Sequence, residues 1–281
     1  MPIARLRGLE VYYETRGSGE PLLLIHGLGS STQDWEHQVE RFATRYTVVT
    51  YDVRGHGQSG KPRERYSVPQ FAHDAAALIE HLGLGPVHVQ GISMGGMIAL
   101  QLAVDTPDLV RSLTIVNSGP EMILRTMKQR IAIYQRFVIV RLMGMRKMGV
   151  VLSNVLLPRP EHEGLRETFV ERWARNDPGA YLRALRALIG WSVSARLGTI
   201  KCPTLILAAD QDYTPVAYKE FYAAAIPGSQ LVVIPDARHM LPVERPAEYN
   251  DAVMHFLAGV SAKHPRPKSV ATPWSSSEAR T

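Results

Sequence analysis

Short apolar runs alternate with helix-spaced segments along most of this chain, and that alternation restricts its fold more than any other feature. The runs cover residues 21–25, 47–51, 87–90, 113–116, 204–208 and 231–234. Continuous apolar runs of this length suit strands buried on both faces. Residues 68–82, 97–104, 216–225 and 247–257 carry the apolar spacing of helices. Strands in alternation with helices predict an α/β fold, a doubly wound and mostly parallel sheet with right-handed crossovers. Ahead of it, residues 3–6 and 9–14 flank the turn-prone pair Arg7-Gly8 and read as a hairpin.

The alternation stops between Gly119 and Thr199. That stretch is helical in composition and rich in methionine and arginine. It reads as an inserted helical cap, residues 120–196, which Pro158-Arg159-Pro160 divides in two. The core then comprises residues 1–119 and 197–260. Residues 261–281 are rich in Pro and Ser and have little to bury, which predicts a disordered tail.

The chain has 281 residues, 45% of them hydrophobic, enough for one α/β domain with a large core. The single cysteine, Cys202, rules out an internal disulfide, and no Cys/His spacing suits zinc. Cys202 itself reads as a small core residue. The first residues lack the apolar segment of a signal peptide, and no stretch of about 18 uncharged apolar residues occurs. These features predict a soluble, cytoplasmic protein. The net charge of +6 is unevenly placed: residues 121–196 hold 14 Lys and Arg against 6 Asp and Glu, which leaves the rest at −2. No nucleic-acid-binding motif accompanies the basic excess, so no nucleic-acid partner is expected.

The chemistry-bearing residues fall in loops that follow apolar runs. Gly91-Ile92-Ser93-Met94-Gly95 lies between a strand and a helix. A sharp strand-to-helix turn exposes such a serine, and glycines on either side let the backbone pass close by. A serine hydroxyl is a weak nucleophile near neutral pH and needs a base, itself oriented by an acid. His239, in the loop after residues 231–234, can serve as that base. The acid lies in Ala209-Asp210-Gln211-Asp212-Tyr213-Thr214-Pro215, where Asp212 is the choice and Asp210 the alternative. His26-Gly27-Leu28-Gly29 follows the strand at residues 21–25, and its amides, with that of Met94, can hold a developing oxyanion. His26 reads as structural, and Trp35 as packing beneath this loop.

These residues together resemble the α/β-hydrolase family, in particular its small esterase and lactonase branch, which includes enol-lactone hydrolases and carbon–carbon bond hydrolases. The resemblance covers residues 1–258. It implies a Ser93, Asp212, His239 triad, an oxyanion hole at Leu28 and Met94, and no metal or organic cofactor. Asp52-Val53-Arg54-Gly55-His56-Gly57-Gln58-Ser59 is similar to a structural loop of the family. Ala209 departs from the family pattern, which often has glycine there. Serine at the elbow disfavours the dehalogenase and epoxide-hydrolase branch, which uses aspartate.

The resemblance thus implies a small-molecule ester or lactone substrate. Carbon–carbon cleavage, perhydrolysis, a ligand-receptor role and a membrane-associated acyltransferase or lipase-like role are the alternatives. The arginines of residues 121–196 suit an anionic substrate. A basic amphipathic helix can instead lie on an anionic membrane, but a charge run reads first as a solvated face. The methionines, Trp191 and Tyr134 suit either a pocket wall or packing. Oligomeric state is not legible.

Overall fold

The computed structural model describes residues 2–263. Eight strands form one sheet: β1 (Ile3–Leu6), β2 (Leu9–Arg16), β3 (Glu20–Ile25), β4 (Tyr46–Tyr51), β5 (Val87–Ile92), β6 (Val110–Val116), β7 (Thr204–Ala209) and β8 (Gln230–Ile234). Their order is β1-β2-β4-β3-β5-β6-β7-β8. β1 and β2 pair antiparallel, as do β2 and β4, and every later pairing is parallel. The hairpin turn uses positive φ at both Arg7 (47°) and Gly8 (84°), the backbone that matches the twist of two adjoining strands.

Helices cover both faces because the strands are apolar on both. Leu23 and Ile25 of β3 face a core shared with α2 (Val68–His81) and α3 (Met94–Asp105). Leu22 and Leu24 face the other core, with α1 (Glu36–Ala43) and a long C-terminal helix. The exception is β8. Its apolar run reads as a buried strand, yet Val232 and Val233 are exposed, because β8 is the sheet's edge.

Residues 117–203 carry no long strand, only an isolated bridge between Glu121 and Ser192 that closes the base of an inserted helical region. Its helices are α4 (Met127–Leu156), α5 (Glu163–Ala174) and α6 (Pro178–Leu188). Pro158-Arg159-Pro160 separates α4 from α5 as expected, but the region has more breaks than that one. Gly144, at φ 77°, interrupts α4, and Asp177 with Pro178 starts α6, its carboxylate accepting from the Ala180 amide at 2.6 Å. Met145, Met148, Phe169, Trp173 and Leu185 form the region's own core. Trp191 donates to Gln101 of α3 at 2.7 Å, whereas Tyr134 stands exposed.

The remaining helices are α7 (Val216–Ala223), α8 (Leu241–Glu244) and α9 (Pro246–Lys263). α9 corrects the start of the expected tail. Val260 is buried and Ser261 bonds to Glu20, so residues 261–263 are helical. Residues 264–281, the rest of that expectation, lie outside the described residues. Among the described residues no helix is long and apolar enough to cross a membrane.

Candidate active site

The carboxyl ends of β3, β5, β7 and β8 bring the sequence-selected loops to one edge of the sheet. Ser93 sits between β5 and α3 with φ 53° and ψ −118°, a backbone region costly for any residue with a Cβ. Neighbouring contacts hold it there. A Cβ on Gly91 would lie 2.1 Å from the Gly95 carbonyl oxygen, and one on Gly95 would lie 2.0 Å from that of Ile25. Both positions therefore require glycine. The Ser93 amide donates to Val116, and the Ser118 hydroxyl donates to the Ser93 carbonyl at 2.6 Å.

His239 and Asp212 meet on the same edge. His239 Nδ1 donates to Asp212 Oδ1 at 2.8 Å, because an ionised carboxylate can only accept. Asp210 instead accepts the Ala237 amide at 3.1 Å and braces the loop. The other Asp212 oxygen, Oδ2, accepts from Lys219 Nζ at 2.8 Å, and both side chains are wholly buried. Lys219 also donates to the Thr214 carbonyl and hydroxyl. Burial pushes the Asp212 carboxyl up, but the hydrogen bond from His239 and the positive charge and hydrogen bond of Lys219 outweigh it and hold the group down at about 2.

Two further residues shape this pair. Asn117 donates to the carbonyls of Arg238 and His239 at 2.9 and 3.1 Å and accepts the Ala209 amide at 2.8 Å, joining the acid loop to the base loop. Tyr213 is 59% exposed, yet its hydroxyl turns inward to donate to His239 Nε2 at 3.0 Å. It also neighbours Ser93. Burial of the hydroxyl, and then the Asp212 charge, push it up to about 12. None of Lys219, Asn117 and Tyr213 was selected from the sequence. Lys219 had a legible signal, since Val216, Lys219 and Tyr222 share one helical face that turns inward.

His26 is a brace. It donates to the Gly27 carbonyl and accepts the Val53 amide, and burial lowers it to about 4, so it is neutral. Asp52 accepts the amides of Thr32 and Gln58, and Arg54 forms a paired bond with Asp74. The loop from Asp52 to Ser59 is thus consumed in holding itself and the neighbouring turn.

Ser93, His239, Leu28 and Trp35 line one cleft with Leu152, Leu156, Phe169, Trp173, Leu185 and Leu188 of the helical region. Of the methionines there, Met122 lines it as well. Gly29, at φ 76°, lies against the Trp173 ring, and Asn176 donates to its carbonyl at 2.8 Å. The helical region therefore holds the loop that carries Leu28. Asp34 also lines the cleft, but it is bound to Ser30 and Arg172, and burial raises it. Arg136 is the lining's one arginine and has no ion-pair partner among the described residues. The indole nitrogens of Trp35 and Trp173 are buried without an acceptor among the described residues. Among the described residues no cluster of His, Cys, Asp or Glu suits a metal ion.

A family model for the alpha/beta hydrolase fold matches residues 20–138. A hydrolase of (E)-2-((N-methylformamido)methylene)succinate from Acinetobacter baylyi is 31% identical over 260 residues, 88% of this chain and 93% of that one. The chain belongs to the α/β-hydrolase family. Another relative of this hydrolase, 3-oxoadipate enol-lactonase 2 of the same organism, is 29% identical over 86% of this chain and 90% of its own length. A thermophilic esterase from Thermogutta terrifontis, solved with malate bound, superposes with a TM-score of 0.84 at 27% identity, over 92% of this chain and 99% of that one.

Proposed function

We propose that this α/β hydrolase cleaves small or medium carboxylic esters or lactones through an acyl-enzyme on Ser93. The Asp212–His239 pair, set over the cleft that Ser93 lines, carries the reading. With the Nδ1 proton committed to Asp212, Nε2 is left to accept a proton. The Tyr213 hydroxyl now occupies that position and yields it to Ser93 Oγ when substrate binds. Ser93 Oγ then attacks the carbonyl carbon as its proton passes to Nε2. The amides of Leu28 and Met94 hold the oxyanion; among the described residues neither has another acceptor. Collapse of the tetrahedral intermediate breaks the bond to the leaving oxygen, which takes the proton from His239. Water next attacks the acyl carbon and gives its proton to His239. A second collapse frees the acid and returns the proton to Ser93. Asp212 stays ionised throughout and stabilises the imidazolium.

Arg136 favours an ester or lactone that bears an anionic group, since a guanidinium without a carboxylate partner in an apolar cleft is satisfied by one from the ligand. The succinate substrate of the Acinetobacter relative and the malate in the Thermogutta esterase agree with this preference. The test is p-nitrophenol release from short- to medium-chain esters at neutral pH. Turnover by the wild type that falls to background in Ser93→Ala is expected. Background rates from both proteins, or equal rates, would contradict the proposal.

A further inference from the structure

The outward face of α4 presents apolar side chains that no part of the described structure covers. Met127 is 67% exposed, Ile131 49%, Tyr134 69% and Leu142 78%. Steps of four, three and eight residues place all four on one stripe of a helix, in which Val138 is half-buried. The opposite face turns inward at Arg136, on the cleft, and at Val140, which is buried, while Met143 beside the Gly144 break is exposed. The stripe is therefore not a misplaced part of the core. It ends at the break at Gly144, beyond which Met145 and Met148 are buried.

Charge sits beside the stripe in a regular way. At 100° per residue, Lys128 lies about 80° to one side of it, and Arg130 and Arg141 lie about 60–80° to the other. Residues 122–160 contain eight Lys and Arg and no Asp or Glu. Arg125, Arg146 and Arg159 pair with Glu121, Glu171 and Asp236. Lys128, Arg130 and Arg141 have no ion-pair partner among the described residues.

A solvated basic face accounts for the charges but not for four large apolar side chains in water. A contiguous apolar patch rimmed by polar groups marks a contact surface. A second copy of this chain fits poorly, because a two-fold pairing would bring the same cations together. We infer that the outward face of α4 docks on an anionic lipid membrane, with Met127, Ile131, Tyr134 and Leu142 at the acyl boundary and Lys128, Arg130 and Arg141 among the headgroups. The helix lies on the membrane rather than crossing it. Its inner face supplies Arg136 to the cleft, so docking brings the cleft's helical wall to the lipid. Esters that partition into the membrane then meet Ser93 at raised local concentration.

The test uses the full chain with phosphatidylcholine vesicles, plain or containing about 30% phosphatidylglycerol, at low salt and at about 0.5 M salt. Co-sedimentation with the anionic vesicles only, weakened by salt, is expected. Ile131→Glu/Leu142→Glu should lower that partitioning about tenfold or more, because it places charge in the apolar stripe. Both side chains are exposed, so hydrolysis of a soluble ester should persist, and Lys128→Glu/Arg141→Glu should repeat the loss through charge alone. Absence of binding at low salt, equal binding to both vesicles, or binding unaltered in the variants would overturn the inference. A wild-type dimer that Ile131→Glu/Leu142→Glu dissolves, without vesicle binding, would assign the face to self-association instead. Vesicle binding does not depend on catalysis, so failure of ester turnover leaves this result readable, and the converse holds.

Discussion

On the sheet side of the cleft, Ser93, Asp212 and His239 are held by backbone hydrogen bonds, the glycine contacts of the elbow and the Asn117 and Lys219 side chains. On the helical side, Leu152, Leu156, Phe169 and Leu185 offer apolar surface and Arg136 a charge without an ion-pair partner among the described residues. The first wall leaves these three side chains little freedom, whereas the second can change side chains without moving them. The proposed function puts chemistry at the strand ends and selection of substrate on the inserted helices, and substitutions on each wall should separate the two.

The largest effect belongs to Asp212→Asn. It keeps an acceptor at the position but removes the charge that stabilises the imidazolium, so kcat should fall about 10⁴-fold. It also strands the buried Lys219 cation. The double variant Asp212→Asn/Lys219→Met should recover melting temperature but not activity, and recovery of both would remove Asp212 from the chemistry.

Lys219→Met tests how the sheet wall is supported. Loss of one partner of a wholly buried ion pair should cost about 3–5 kcal/mol in urea unfolding. With Lys219 gone, Asp212 loses one of the groups that hold it down at about 2, so its carboxyl should take up a proton at higher pH. The midpoint of acid unfolding should therefore move to higher pH, because the stability that the depressed carboxyl contributes is present at neutral pH and lost as pH falls. A midpoint that stays in place, or moves to lower pH, would show that Lys219 does not hold the Asp212 charge.

Arg136→Gln probes the helical wall. The ratio of kcat/KM for mono-p-nitrophenyl glutarate to that for p-nitrophenyl valerate should fall about tenfold or more, as one charge-assisted contact is lost. Arg141→Gln, the same charge change on the outer face of α4, should leave the ratio unaltered. The smallest effect belongs to Tyr213→Phe, which removes the hydroxyl that competes with Ser93 for Nε2. One ordinary hydrogen bond sets the scale, so kcat/KM should rise by up to about tenfold. A fall would mean that the hydroxyl assists the reaction.

Much of the fold is legible in the chain because buried parallel strands must be continuously apolar. β3 to β7 announce themselves that way. β8 reads alike although its valines are exposed, since an edge position leaves no mark in an apolar run. The start of α3 is masked by Gly95 and Gly96, a pair that looks like a turn. The structure needs glycine within the helix there because the backbone of β3 passes so close. The loops bearing Ser93, Asp212 and His239 stand out by residue type and by their place after strands. Their supports do not. Asn117 follows β6 at φ 42° with nothing in its neighbours to signal contacts more than 90 residues away. In the inserted region the proline pair marks one break, while Gly144 acts through its left-handed backbone and resembles any other helix glycine.

The assignment of chemistry to the strand ends meets its most direct test in covalent labelling of Ser93. A fluorophosphonate reacts with a serine that a neighbouring base activates, and intact-mass spectrometry counts the adducts. One adduct is expected on the wild type, located by peptide mapping at Ser93, with no adduct on Ser93→Ala and labelling at least about 10²-fold slower in His239→Ala. An unlabelled wild type, or labelling that persists in Ser93→Ala, would contradict that assignment.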